Sequence, residues 1–116
     1  MKHSMKKILI ASFLAFSPPV MAREYAVDDG NDLLDTCSKS NDFAEGYCLG
    51  YVRALSNGVD FIVASKGSHV CYGPNVTIGQ VRDVVVDYVR RNPAKRNENA
   101  LLLTAYAIGA AWPCAK

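Results

Sequence analysis

Behind an apolar leader, hydrophobic residues return every three or four positions along most of this chain, the spacing that gathers them on one face of an α-helix. The longest such run opens at Asp42-Phe43-Ala44-Glu45, where Asp42 can accept from the amide three residues on while Glu45 reaches back, a capping box. Phe43, Tyr47, Tyr51, Leu55, Val59 and then Ile62 or Val63 follow, with Cys48 and Val52 beside them, and predict a helix that buries this stripe and runs to about Ser65. A second stripe on the same helix carries Gly46, Gly50, Ala54 and Gly58. Each glycine there costs roughly 1 kcal/mol relative to alanine, so something is expected to approach that face closely. The occupant is either another segment of the same domain packed backbone to backbone or a second copy of the chain.

Three further helices are predicted. A short one runs from Asp32 to about Ser38 with Asn31 as its cap, following a polar stretch from Arg23 to Gly30. Thr77-Ile78-Gly79-Gln80 is another capping box, and the helix behind it sets Val81, Val84, Val85, Tyr88 and Val89 against Arg82, Asp83, Asp87 and Arg90 until Asn92-Pro93 stops it. The last runs from about Glu98 to Ala111, with Leu101, Leu102, Ala105, Ile108 and Trp112 toward the core, and Pro113 ends it. Between the second and third helices, Lys66 to Val76 has no periodicity and contains two glycines and a proline, so it reads as a long loop. The fold class is therefore all-α, a small bundle of about four helices in one domain, residues 23–116.

The leader reads differently. Lys2, Lys6 and Lys7 precede an apolar run from Ile8 to Phe16, and Val20-Met21-Ala22 supplies the small residues of a cleavage site, so residues 1–22 form a secretory signal peptide and Arg23 begins the mature chain. Removing them changes the charge: 10 Lys plus Arg against 11 Asp plus Glu leave a net charge of −1 on the mature chain. No basic field remains to attract nucleic acid or an anionic membrane surface.

Cys37, Cys48, Cys71 and Cys114 are even in number and lie downstream of an export signal, which predicts two disulfides formed in an oxidising compartment, a bacterial periplasm. A metal site is disfavoured, because no C-x-x-C pair exists, the cysteine spacings are irregular, and His69 is the one histidine of the mature chain. No cofactor motif is present, and no catalytic residue stands out. His69 has only Ser68 and Cys71 near it in a loop, and the Asp28-Asp29 and Asp32-Asp35 pairs sit where helix N-termini favour negative charge. Asn75-Val76-Thr77 fits a glycosylation acceptor, but Thr77 already caps a helix. Export, stapling and one long loop are the properties of a binding protein.

Several segments together carry a resemblance: Leu33-Leu34 with Cys37, Gly46-Tyr47-Cys48-Leu49-Gly50-Tyr51-Val52, Val70-Cys71-Tyr72-Gly73-Pro74, Thr77-Ile78-Gly79-Gln80-Val81, Tyr88 with Asn92-Pro93, and Ala111-Trp112-Pro113-Cys114. Over residues 33–114 the chain resembles the Rap/Tai family of immunity proteins, with Trp112 standing where phenylalanine is expected. The resemblance implies a periplasmic helical protein that binds and inhibits a peptidoglycan amidase delivered by type VI secretion, protecting the producing cell without catalysis of its own. It also implies an HdeA-like fold and a homodimer using the stripe of Gly46, Gly50, Ala54 and Gly58 or the faces beside it. Four cysteines allow three pairings, and the HdeA-like resemblance implies Cys37 with Cys71 and Cys48 with Cys114. The loop from Lys66 to Asn75 is expected to plug the amidase groove, with Lys66, Ser68, His69 and Tyr72 making the contacts. An acid-stress chaperone of the HdeA type and a structural or binding protein of the envelope are the alternatives.

Overall fold

The computed structural model describes residues 28–115, so the signal-peptide expectation and the mature start at Arg23 fall outside the described residues. Four α-helices follow in order, α1 (Gly30–Cys37), α2 (Asp42–Ser65), α3 (Ile78–Arg91) and α4 (Ala100–Ala111), with a 3₁₀ turn at Pro93–Lys95. The all-α bundle expected from the periodicity is what forms. α4 packs against α1, α2 and α3, and α2 and α3 pack on each other. Leu33, Val52, Val85, Leu103 and Ile108 meet at the centre with almost no exposure.

The helix starts show which side chains won the capping contest. Thr77 accepts from the Gln80 amide at 3.2 Å while Gln80 Oε1 accepts from the Thr77 amide at 2.8 Å, the expected box. α1 starts two residues earlier than the pattern suggested, because Asp29 and not Asn31 is its cap, with Asp32 completing a box. Asn31 instead donates from Nδ2 to the Arg96 carbonyl and to Asn97. α2 is capped by Asn41, one residue before the expected Asp42, through a bond from the Ala44 amide at 2.9 Å. Asn99 caps α4 in the same manner, accepting from the Leu101 amide at 2.8 Å.

A backbone clasp joins the start of α1 to the α3–α4 connection. Gly30 and Asn31 donate to the Glu98 and Arg96 carbonyls, each at 3.1 Å, and Ala100 donates to Asp28 at 2.8 Å. The approach depends on Gly30, where an added Cβ would lie 2.6 Å from Leu103 Cδ1 and 3.0 Å from the Arg96 backbone.

Two expected faces are rotated. On α2 the buried residues are Ala44, Cys48, Val52, Ser56 and Val59, while Phe43 is 82% and Tyr47 59% exposed, and Ile62 is exposed as well. Both sides of α2 are apolar enough to serve as a core, so periodicity alone could not choose. Ser56 is tolerated inside because its hydroxyl donates to the Arg53 carbonyl at 3.0 Å. α4 is apolar on every side, and it buries Leu103, Thr104 and Ala107 with Ile108 while Leu102 faces out. Thr104 meets the same requirement through the Ala100 carbonyl at 2.8 Å.

Both disulfides form, but with a different pairing: Cys37 is bonded to Cys48 and Cys71 to Cys114. Helix geometry explains the correction. Cys37 ends α1, and the short turn that follows folds α2 back beside it, leaving the two Cα atoms 4.9 Å apart. Cys71 and Cys114 instead line a hollow with Val63, near the far end of α2. From Cys48 to Val63 is 15 residues of one helix, about 22 Å at 1.5 Å per residue, too far for a bond from Cys37 to Cys71.

Candidate functional site

The loop between α2 and α3 is shaped at both ends by the helices it joins. At the start, Gly67 takes a left-handed φ of +74° and donates to the Ala64 carbonyl at 2.9 Å, while Ser68 donates back to Val63 at 3.1 Å. At the end, Asn75 adopts a left-handed φ of +64° just before the Thr77 cap.

Between those ends the loop is fastened to the body. Cys71 is bonded to Cys114, and the Tyr72 ring lies 5.2 Å from Trp112 in a tilted arrangement. Val70, Tyr72 and Val76 pack against the core from above. Burial first, and the Asp60 carboxylate second, push the Tyr72 pKa up to about 12, so its hydroxyl stays protonated across the physiological range.

This fastening divides the four residues expected to make contact. Lys66, Ser68 and His69 are exposed on the crest, together with Gly73-Pro74-Asn75. Tyr72 is half-buried and serves the loop's anchorage. Beneath the crest, Arg53, Asn57, Asp60 and Tyr72 line a hollow of about 280 Å³. His69 lies beside the Cys71–Cys114 pair, its ring nitrogen and the two sulfurs all within 4.8 Å of one another.

The small-residue stripe of α2 has two characters. Gly58 is packed, since a Cβ there would meet Leu101 Cδ1 of α4 at 3.1 Å, so another helix of the same domain covers this position. Gly46 and Gly50 meet nothing within 4 Å, and Ala54 is exposed. With Phe43, Tyr47 and Phe61, Gly50 and Ala54 form an outward apolar line along α2, opposite its buried face.

A larger concavity was not anticipated. It measures about 550 Å³ and lies over the Cys37–Cys48 bond, walled by Lys39 and Glu45 on one side and Arg82, Asp83, Asp87 and Arg90 of α3 on the other. The polar face of α3 was the available signal, but the facing wall depends on the Cys37–Cys48 pairing. Its charges are mixed, with Arg82 on Asp83 at 2.9 Å, and Asp87 is paired outward with Arg91 at 2.7 Å.

A disulfide-stapled helical bundle that presents one fastened, solvent-facing loop defines a class, the small rigid binding domain. The family model for Rap1a immunity proteins matches residues 29–114, nearly the whole described chain, and the chain belongs to that family. Membership gives it an immunity role, the binding of a cognate type VI effector. No curated protein and no solved structure matches the chain.

Proposed function

We propose that this protein acts in the periplasm by binding a peptidoglycan amidase effector and blocking its substrate groove with the loop from Lys66 to Asn75. The observation that carries the reading is the fastening of that loop. A segment held by the Cys71–Cys114 bond and by Tyr72 on Trp112 loses little conformational freedom when it meets a partner. Its exposed Lys66, Ser68 and His69 offer hydrogen-bond donors and a charge to a polar cleft. Blocking requires occupancy and no bond-breaking by this chain, so it acts as an inhibitor and not as an enzyme. Export by the N-terminal segment would bring it to the compartment where peptidoglycan is cut.

The test is co-expression with the amidase encoded beside it, both directed to the periplasm, with lysis as the readout. Survival with the wild type is expected. Lysis with the combined Lys66→Ala, Ser68→Ala and His69→Ala variant, at equal expression, would support the loop as the blocking element. Survival with that variant would move the contact to another surface, and lysis with well-expressed wild type would reject the function.

The outward line of Phe43, Tyr47, Gly50, Ala54 and Phe61 favours a further reading, in which two copies pair along α2. Aromatic side chains at the two ends and small residues between them would let two such helices approach closely where they cross. Light scattering of the mature protein is expected to return twice the mass of one chain, and the combined Phe43→Ser and Phe61→Ser variant the mass of one. Wild type that is monomeric at micromolar concentration would end this reading.

A further inference from the structure

His69 and the Cys71–Cys114 pair lie at the surface, with His69 and Cys114 exposed and Cys71 half-buried, and their ligand atoms fall within 4.8 Å of one another. While the bond is closed, each sulfur is satisfied by the other. Once it is open, the same three side chains are two thiols and an imidazole, the donor set that zinc takes in preference to harder cations.

Whether they remain together depends on what else holds the two segments. Tyr72 follows Cys71 directly, Trp112 precedes Cys114 by two residues, and their rings are 5.2 Å apart. Both rings and Val70 are packed against the core, so opening the bond leaves the cysteine backbones side by side. Their Cα atoms are 5.1 Å apart. Two thiolates on a tetrahedral zinc stand about 3.8 Å from each other, a spacing that rotation of the two side chains supplies.

We propose that the reduced protein binds one Zn²⁺ through Cys71, Cys114 and His69, with a fourth position open to water. The chemistry balances with a dithiol reductant. The reductant gives two electrons and two protons to the disulfide and becomes a cyclic disulfide itself, leaving two thiols on the protein. Zn²⁺ then displaces the two thiol protons to solvent and takes the imidazole in its neutral form. Bound there, the ion ties the loop to the segment after α4 when the covalent bond cannot. The inference is independent of the immunity reading.

The test uses the mature protein reduced with dithiothreitol, desalted without oxygen and titrated with Co²⁺ and then Zn²⁺. A thiolate-to-cobalt absorption band is expected to saturate at one equivalent, to vanish on addition of Zn²⁺, and to be absent from the oxidised protein. Cys71→Ser with Cys114→Ser should abolish it, and His69→Ala should weaken Co²⁺ binding at least tenfold. Because both disulfides are reduced, a second measurement locates the ion: Zn²⁺ should protect Cys71 and Cys114 from alkylation and leave Cys37 and Cys48 reactive. A band that survives in the Cys71→Ser/Cys114→Ser variant, protection of Cys37 and Cys48 instead, or unchanged affinity in His69→Ala would overturn the proposal. Reduced protein that has lost its helical circular dichroism would overturn it too, since the site relies on the packing of Tyr72 and Trp112.

Discussion

The two disulfides do opposite work at opposite ends of α2. Cys37–Cys48 closes 11 residues, lies over the core with Cys48 only 3% exposed, and clamps two consecutive helices that already share a short turn. Cys71–Cys114 closes 43 residues, reaches the surface, and joins a loop to a segment that no helix would hold there. In the chain-entropy account the first contributes roughly 3 kcal/mol and the second roughly 4 kcal/mol. The more buried bond is thus the weaker constraint on the unfolded chain. The first ties the buried face of α2 to the end of α1, and the second reinforces at the surface a contact that Val70, Tyr72 and Trp112 also pack.

The contrast is easiest to break at the bond that closes the longer stretch of chain. Replacing Cys71 and Cys114 together by serine should lower stability by roughly 4 kcal/mol in urea unfolding, with the midpoint shifted and the slope little changed. Replacing Cys37 and Cys48 by alanine should cost roughly 3 kcal/mol by the same measure. If that pair costs more than the first, burial of Cys48 outweighs loop closure and the ranking reverses. Peptide mapping without reductant that joined Cys37 to Cys71 would remove the comparison altogether.

Smaller effects sharpen it. Thr77→Ala removes the cap that ends the fastened loop and should cost about 1 kcal/mol in urea unfolding. Tyr72 gives a signal in alkali. Its folded pKa of about 12 lies above the ordinary value of 10, so its contribution is complete below pH 10 and is lost as the pH rises through the folded value. Fluorescence of Trp112, the sole tryptophan, should report loosening of the loop between pH 10 and 12. At the other end, Tyr51 has a buried hydroxyl with no hydrogen-bond partner among the described residues. Burial first, then the nearby Asp28 carboxylate, push its pKa above the ordinary tyrosine value. Tyr51→Phe should therefore leave stability within about 1 kcal/mol of wild type, and a larger loss would show that the hydroxyl is satisfied in solution.

The parts of this fold that were legible in the sequence are those set by neighbours along the chain. The Thr77-Gln80 box, the stop at Asn92-Pro93, the valine face of α3 and the loop after α2 are all local, and all were readable. What could not be read depends on segments far apart. Asp29 displaces Asn31 as a cap, and Asn31 bonds instead to Arg96 and Asn97, partners 65 and 66 residues away. The core face of α2 rests on Cys48 meeting Cys37, a pairing that four cysteines leave open and that the HdeA-like resemblance assigned otherwise. Of the site, the crest residues Lys66, Ser68 and His69 were legible as loop residues, while the inward role of Tyr72 depends on Trp112, 40 residues further on. The cleft over Cys37–Cys48 was hidden for the same reason.

The clasp at Gly30 also sets an order of events. On the proposed export, the bond between Cys37 and Cys48 can close before the chain beyond α2 has reached the oxidising compartment, since both partners are early. The Gly30 and Asn31 amides must wait for Glu98 and Arg96, and Cys71 must wait for Cys114, beyond α4. Leu33 and Val52 likewise lack a floor until Leu103 arrives. α4 is the last helix to emerge and packs against all three others, so a partly exported chain holds a crosslinked α1–α2 pair with its apolar side uncovered. Completing the core therefore needs contacts of high sequence separation, such as the Gly30 bond to Glu98, which local helix formation cannot supply.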